Sequence, residues 1–148
     1  MNDKPNDSAA QDDASGTSAE LFSSGRRAEK SGELETARQA YERALASAPD
    51  QHPWHYRLGC VFMKLGLPER AEHCFRKALE IEPGASSYLT NLGVCLDRQG
   101  RRDEAVRAYR KSTHQEDASP VAFHNLGAIY AEEGRADEAI RAFEAALA

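Results

Sequence analysis

At 148 residues the chain has the length of one ordinary domain, and its 29% charged and 41% hydrophobic content is in the usual globular range. No stretch approaches the ~18 uninterrupted apolar residues of a membrane span, so membrane insertion is not expected. The net charge of -5 lacks the basic footprint that phosphate-backbone binding requires, which argues against nucleic acid as a partner.

Residues 1–17 hold Asp3, Asp7, Asp12 and Asp13 against Lys4, so this segment carries -3 of the net charge. It has no large apolar residue after Met1, and too little surface to bury against its ordering entropy, so a disordered acidic tail is expected. Its lack of a basic run followed by an apolar stretch gives no secretory or transit signal. Cys60, Cys74 and Cys95 are odd in number and lack CxxC spacing, which suits a reducing compartment, and a cytoplasmic location is expected.

The spacing Thr17-Ser18-Ala19-Glu20 predicts the first helix start, because a hydroxyl residue followed three places later by Glu can satisfy two free amides reciprocally. From Leu21 onward the sequence repeats at an interval of 34 residues. Gly25, Gly59, Gly93 and Gly127 form one column, and Gly32, Gly66, Gly100 and Gly134 a second. Ala37, Ala71, Ala105 and Ala139 form a third, and the aromatics Tyr41, Phe75, Tyr109 and Phe143 a fourth.

Each column has a physical reading. The first glycine admits close approach of a neighbouring helix despite costing about 1 kcal/mol in a helix interior. The second ends a helix as a left-handed cap and reverses the chain. The alanine is small where two helices pass, and the aromatic four residues on is expected to fill space between repeats. Pro53, Pro68 and Pro120 sit where first helical turns begin, Pro49 and Pro83 close second helices, and Ser119 is a predicted N-cap.

Leu58-Gly59-x-x-Phe62 with Ala71, Phe75, Ala78 and Pro83, continued by Leu92-Gly93-x-x-Leu96 and Leu126-Gly127-x-x-Tyr130, resembles the tetratricopeptide (TPR) repeat. Repeats are placed at 18–51, 52–85, 86–119 and 120–148. The resemblance implies an all-α fold, a right-handed superhelical solenoid of four helix-turn-helix repeats and about eight helices. Repeat one departs with Ser24-Gly25 where Leu-Gly is usual, repeat two with His55, and repeat three with Asp117 in place of the closing proline.

Function implied by the resemblance is a protein-interaction scaffold or adaptor that holds a partner peptide or helix in a concave groove lined by first helices. The second, fifth, sixth, ninth, twelfth and thirteenth places of each repeat would line that groove. The sixth place reads Ser23, Arg57, Asn91 and Asn125, and an asparagine pair can hydrogen-bond an extended backbone whatever its sequence. The ninth reads Arg26, Cys60, Val94 and Ala128, which gives a small apolar floor. The fifth reads Phe22, Tyr56, Thr90 and His124; Phe22 has a second reading as an end cap of the core. Arg26, Tyr56, Arg57, Asn91, Val94, His124 and Asn125 are therefore the candidate peptide-binding residues. The carboxylate clamp by which related repeat domains grip acidic chaperone tails finds only Asn91 in its pattern here, so that activity is not expected.

No chemistry-bearing constellation stands beside these residues. His52 and His55 bracket Pro53-Trp54 without further close ligands, Cys60 has no general base, and no phosphate loop is present, so no enzyme, metal or cofactor is expected. Basic residues Arg43, Arg76, Lys77, Arg110 and Lys111 recur on second helices, interleaved with Glu42, Glu72, Asp103 and Glu104, which reads as a solvated surface.

The last repeat ends five residues short of a full unit at Ala148, with Ile140, Phe143 and Leu147 lacking a polar helix to cover them. Three alternatives stay open: a longer natural protein, for which this is an N-terminal docking or regulatory arm of an enzyme such as a glycosyltransferase; a partner at this end; or self-association through Ile140, Phe143 and Leu147 into a homo-oligomer.

Overall fold

Helix α1 (Ser18–Lys30) starts where the hydroxyl-x-x-Glu spacing places it. The Glu20 amide donates to Thr17 Oγ1 at 3.3 Å and the Thr17 amide donates to Glu20 Oε2 at 3.1 Å, a complete capping box. The computed structural model describes residues 16–148; the expected acidic tail lies, but for Gly16 and Thr17, outside the described residues.

Seven more helices follow: α2 (Leu34–Ser47), α3 (His52–Lys64), α4 (Pro68–Ile81), α5 (Ser86–Arg98), α6 (Arg102–Thr113), α7 (Pro120–Glu132) and α8 (Ala136–Leu147), with no strand among the described residues. Proline occupies the first turn of α3, α4 and α7, and Ser119 Oγ accepts from the Val121 amide at 3.2 Å to cap α7. The helices pair as α1·α2, α3·α4, α5·α6 and α7·α8, and each second helix packs on the first helix of the next pair. The result is an all-α solenoid of four helix-turn-helix repeats.

The two glycine columns do different work. At Gly66 φ is 74°, and a Cβ there would have open space around it, so backbone conformation alone demands glycine. The Leu67 amide donates to the Phe62 carbonyl at 2.9 Å and the Gly66 amide to the Met63 carbonyl at 3.1 Å, the paired bonds of a Schellman cap; the other three repeats close the same way. At Gly93 the demand is space: a Cβ would come within 2.5 Å of the Tyr109 ring. The aromatic column therefore rests on the glycine of its own repeat, instead of simply filling the gap between repeats.

The core runs the length of the array as one cluster, from Ala28, Ala37 and Tyr41 through Val61, Phe75 and Cys95 to Ile129 and Ala139. No helix among the described residues is long and apolar enough to cross a membrane.

Candidate functional site

First helices α3 and α5 contact each other directly, besides contacting the second helices between them, which puts the first helices on the inner side of the stack. Along this face the sequence-derived candidates separate into groups that the structure treats differently.

Tyr56, half-buried, stacks on Tyr88 with ring centroids 4.7 Å apart and lies 5.9 Å from Phe75. Burial, together with the adjacent Cys60 thiol, pushes its hydroxyl up to about 12, so it stays protonated. Asn91 Nδ2 donates to that hydroxyl at 3.0 Å and to the Ser87 carbonyl at 2.9 Å. Both donors of Asn91 are thus used inside the molecule, which leaves its side-chain oxygen as the uncommitted group. Asn125 lies beside the Tyr109 hydroxyl, which burial pushes up to about 12. His124 is exposed, its ring 5.4 Å from Phe143, and Val94 is half-buried.

Thr90 does not line the face. Its hydroxyl donates to the Ser86 carbonyl at 2.8 Å and meets Ser112 Oγ at 2.8 Å, while Ser112 Oγ donates to the same carbonyl at 2.9 Å. Ser86 Oγ closes the network on the Asp117 carbonyl at 2.7 Å, at the place where two other repeats carry proline. These three hydroxyls are buried and satisfied, which ties the third repeat's helices together instead of offering groups to a ligand. Phe22 also packs inward, stacked on Trp54 at 4.8 Å and 5.1 Å from Tyr41.

Arg26 and Arg57 belong to a constellation that the column reading did not assemble. Glu29, with a side chain only 9% exposed, accepts from Tyr41 Oη at 2.7 Å and from Lys64 Nζ at 2.9 Å, and lies 3.9 Å from Arg57 Nη1. Burial alone would push this carboxyl up, but the hydrogen bonds from Lys64 and Tyr41 and the charges of Lys64 and Arg57 hold it below the ordinary carboxylate range. Arg26, Glu29, Lys30, Arg57 and Lys64 line a recess of about 150 Å³. The signal was present in the twelfth and thirteenth places, Glu29-Lys30 and Met63-Lys64, but the pairing spans 35 residues and no local spacing reveals it.

Several charges elsewhere are paired within the surface. Arg101 reaches Glu72 at 2.7 Å and Glu104 at 2.6 Å, Arg76 reaches Glu72 at 2.9 Å, and Arg102 reaches Glu132 at 2.6 Å. Burial pushes all three thiols up, that of Cys74 to about 12, so none is an activated nucleophile. His52 Nδ1 lies 2.8 Å from Tyr88 Oη and His55 Nε2 lies 2.7 Å from the Pro49 carbonyl. No group of three or more His, Cys, Asp or Glu side chains converges among the described residues.

At the far end, Ile140 is 55% and Leu147 88% exposed. Phe143 differs from them: its half-buried ring lies against Gly127, so of the three self-association candidates only two present apolar surface freely.

Residues 25–148 match the family described as the cilia and flagella-associated protein 70 middle TPR-like domain. No curated protein matches the chain. Among solved structures, a crystal structure of MamA superposes with a TM-score of 0.85 at 20% identity, over 94% of this chain and 81% of that one. MamA 41-end from Desulfovibrio magneticus RS-1 gives 0.82 at 16% identity over 94% and 77%. YrrB, described as a TPR protein with an unusual peptide-binding site, gives 0.78 at 24% identity over 93% and 70%.

Proposed function

Because the chain belongs to the family of the cilia and flagella-associated protein 70 middle TPR-like domain, we propose that it is a non-catalytic scaffold whose array 18–148 holds an extended peptide or helix of a partner protein on its inner face. The observation that carries this reading is the chemistry left over there: the Asn91 side-chain oxygen, exposed His124, half-buried Asn125 and Val94, and exposed Arg26 and Arg57. These groups are not consumed by the core, and they set polar and charged side chains beside the apolar Val94 on one face. The peptide-binding site in the description of YrrB, a structural relative, supports the same use of the scaffold.

Selection of peptides from a displayed random library tests it. Enrichment that disappears with His124→Ala/Asn125→Ala, while the melting transition stays in place, is the expected result; enrichment unaffected by that pair, or none at all, sinks the reading.

A second reading, self-association, is favoured by the exposed Ile140 and Leu147. It takes the form of two α8 helices facing each other, because the outer face of α1 offers Glu20, Ser24 and Arg27 instead of apolar surface. Sedimentation of the chain beside Ile140→Glu/Leu147→Glu decides it: a monomer at working concentration removes the dimer.

A further inference from the structure

We propose that the recess between repeats one and two is an anion subsite that seats a carboxylate of an acidic partner peptide. The proposal rests on the inner face being a peptide-binding surface and names the chemistry that one end of it takes.

Four cations, Arg26, Lys30, Arg57 and Lys64, line the recess with a single carboxylate, Glu29. The local sum is +3 in a chain whose net charge is -5. Glu29 is already committed: Oε2 accepts from Tyr41, and Oε1 accepts from Lys64 and neighbours Arg57. Arg26 and Lys30 are exposed and meet no carboxylate within ion-pair distance among the described residues. Arg101, Arg102 and Arg135, by contrast, each sit on acids, and what sets the recess apart is that four cations converge there around one carboxylate. The arrangement shares the ninth place and the following sixth place with the carboxylate clamp, but it fills them with Arg26 and Arg57 where the clamp carries asparagines, and adds the thirteenth-place Lys30 and Lys64.

The heads of Arg57 and Lys64 are 45% and 52% exposed, so they can turn to a ligand without leaving Glu29. The volume of about 150 Å³ admits a side-chain carboxylate and its short stem. Arg57 and Arg26 supply planar donor forks that match a carboxylate edge. Beyond the recess the ninth-place column continues as Cys60, Val94 and Ala128, uncharged and small. An occupant therefore lies with its acidic residue at repeats one and two and small apolar residues toward repeat four. The overall negative charge of the chain disfavours a long polyanion such as RNA, whose charge extends far past the recess.

The test uses the full chain and fluorescein-labelled hexaglutamate, with hexaglutamine as the neutral counterpart, read by anisotropy at about 0.15 M salt, where the Debye length is about 8 Å. Hexaglutamate is expected to bind at least about tenfold more tightly than hexaglutamine, and Arg26→Glu/Arg57→Glu to raise its Kd by about tenfold or more. Arg43→Glu/Arg107→Glu, the same charge change on second helices, is expected to alter Kd less than about twofold. Glu29→Gln is expected to tighten binding about threefold, since it removes the competing carboxylate. A purely structural Glu29 would give the opposite sign. Lys30→Ala, at an exposed position, repeats the loss on a smaller scale should a double variant fail to fold.

Equal losses from both arginine pairs, or weaker binding by Glu29→Gln, overturn the proposal. So does tighter binding of oligouridylate than of hexaglutamate. Tightening on deletion of residues 1–15 assigns the recess to the chain's own aspartates, which overturns a foreign occupant. If library peptides that lack acidic residues are still captured through His124 and Asn125, this subsite fails while the groove reading stands; loss of all capture sinks both.

Discussion

The first and last repeats share one backbone plan, yet their outward faces have opposite characters. In repeats two to four, Leu58, Leu92 and Leu126 are 5–6% exposed, and Val61, Cys95 and Ile129 at most 4%. Repeat one places Ser24 and Arg27 at those two register positions, with no repeat before it among the described residues. At the other end the substitution is missing. Leu45 is 8% exposed because the next repeat covers it, whereas Leu147, in the same register, is 88% exposed. A solenoid has identical interior joints, so its solubility is decided by which register positions turn polar at each end. This chain has made that change at α1 and has kept interior chemistry at α8.

The largest expected effect separates interior from end through the glycine column. In Gly93→Val the new Cβ would press on the Tyr109 ring, 2% exposed and bounded at its hydroxyl by Asn125 of the next repeat. The ring cannot yield, and a loss of about 3 kcal/mol is expected by the overpacking scale. Gly127→Val meets Phe143 at 2.8 Å, but that ring borders the open end and can swing away. Its cost should stay near 1 kcal/mol. Urea unfolding of both variants checks the ratio; equal losses would mean that α8 is held as rigidly as α6.

Leu45→Ala and Leu147→Ala make the same chemical change at equivalent positions. The first empties a covered site and should cost about 2 kcal/mol, the second less than about 0.5 kcal/mol. A comparable loss at Leu147 would show that a second copy covers α8 under the conditions used.

The register that makes these comparisons simple was legible in the sequence because glycine, alanine and aromatic columns answer to local steric demands: a positive φ at Gly66, a ring against Gly93. The inner face was less legible, since whether a polar side chain there is offered or consumed depends on what stands one repeat away. Thr90 reads as groove lining until Ser112, 22 residues on, is seen to take its hydroxyl. Asn91 reads as free on all its atoms until Tyr56, 35 residues back, is seen to take one donor. Glu29 does not stand out in the sequence because its partners Tyr41, Arg57 and Lys64 come from other stretches of chain. Columns describe what repeats have in common, and the candidate site lives in what they do not.

The difference between the ends can also be erased. Ser24→Leu/Arg27→Val gives α1 the outward face that α3, α5 and α7 bury, and so supplies a surface of the kind that α8 leaves without a cover. Stability of the monomer should change by less than about 1 kcal/mol, because neither site is enclosed. Association should change qualitatively. A head-to-tail contact does not close on itself, so sedimentation velocity should show a concentration-dependent ladder instead of a single dimer. A variant that stays monomeric would mean that Glu20 and the other polar groups on α1 suffice to keep the ends apart.

The smallest effect concerns pH and again contrasts the ends, since Ala131 occupies in repeat four the place of Glu29 in repeat one. Despite the opposing push of burial, its bonds to Lys64 and Tyr41 leave the Glu29 carboxyl below the ordinary carboxylate value in the folded chain. The unfolded chain therefore takes up its proton first as pH falls, and the stabilisation, full above the ordinary value, is lost as pH drops through the lowered one. Lys64 is half exposed, so solvent screening limits the contribution to about 0.5 kcal/mol. Glu29→Gln keeps an acceptor for Tyr41 and loses only the charge. The stability gap between the chain and this variant should be open at pH 7 and narrow as pH falls below the ordinary carboxylate range, whereas Ala131→Gln should shift stability by the same amount at both ends of that range. A Glu29→Gln gap that does not narrow in acid would show that the carboxylate contributes through its hydrogen bonds alone, and that the cations around it are held in place by something other than its charge.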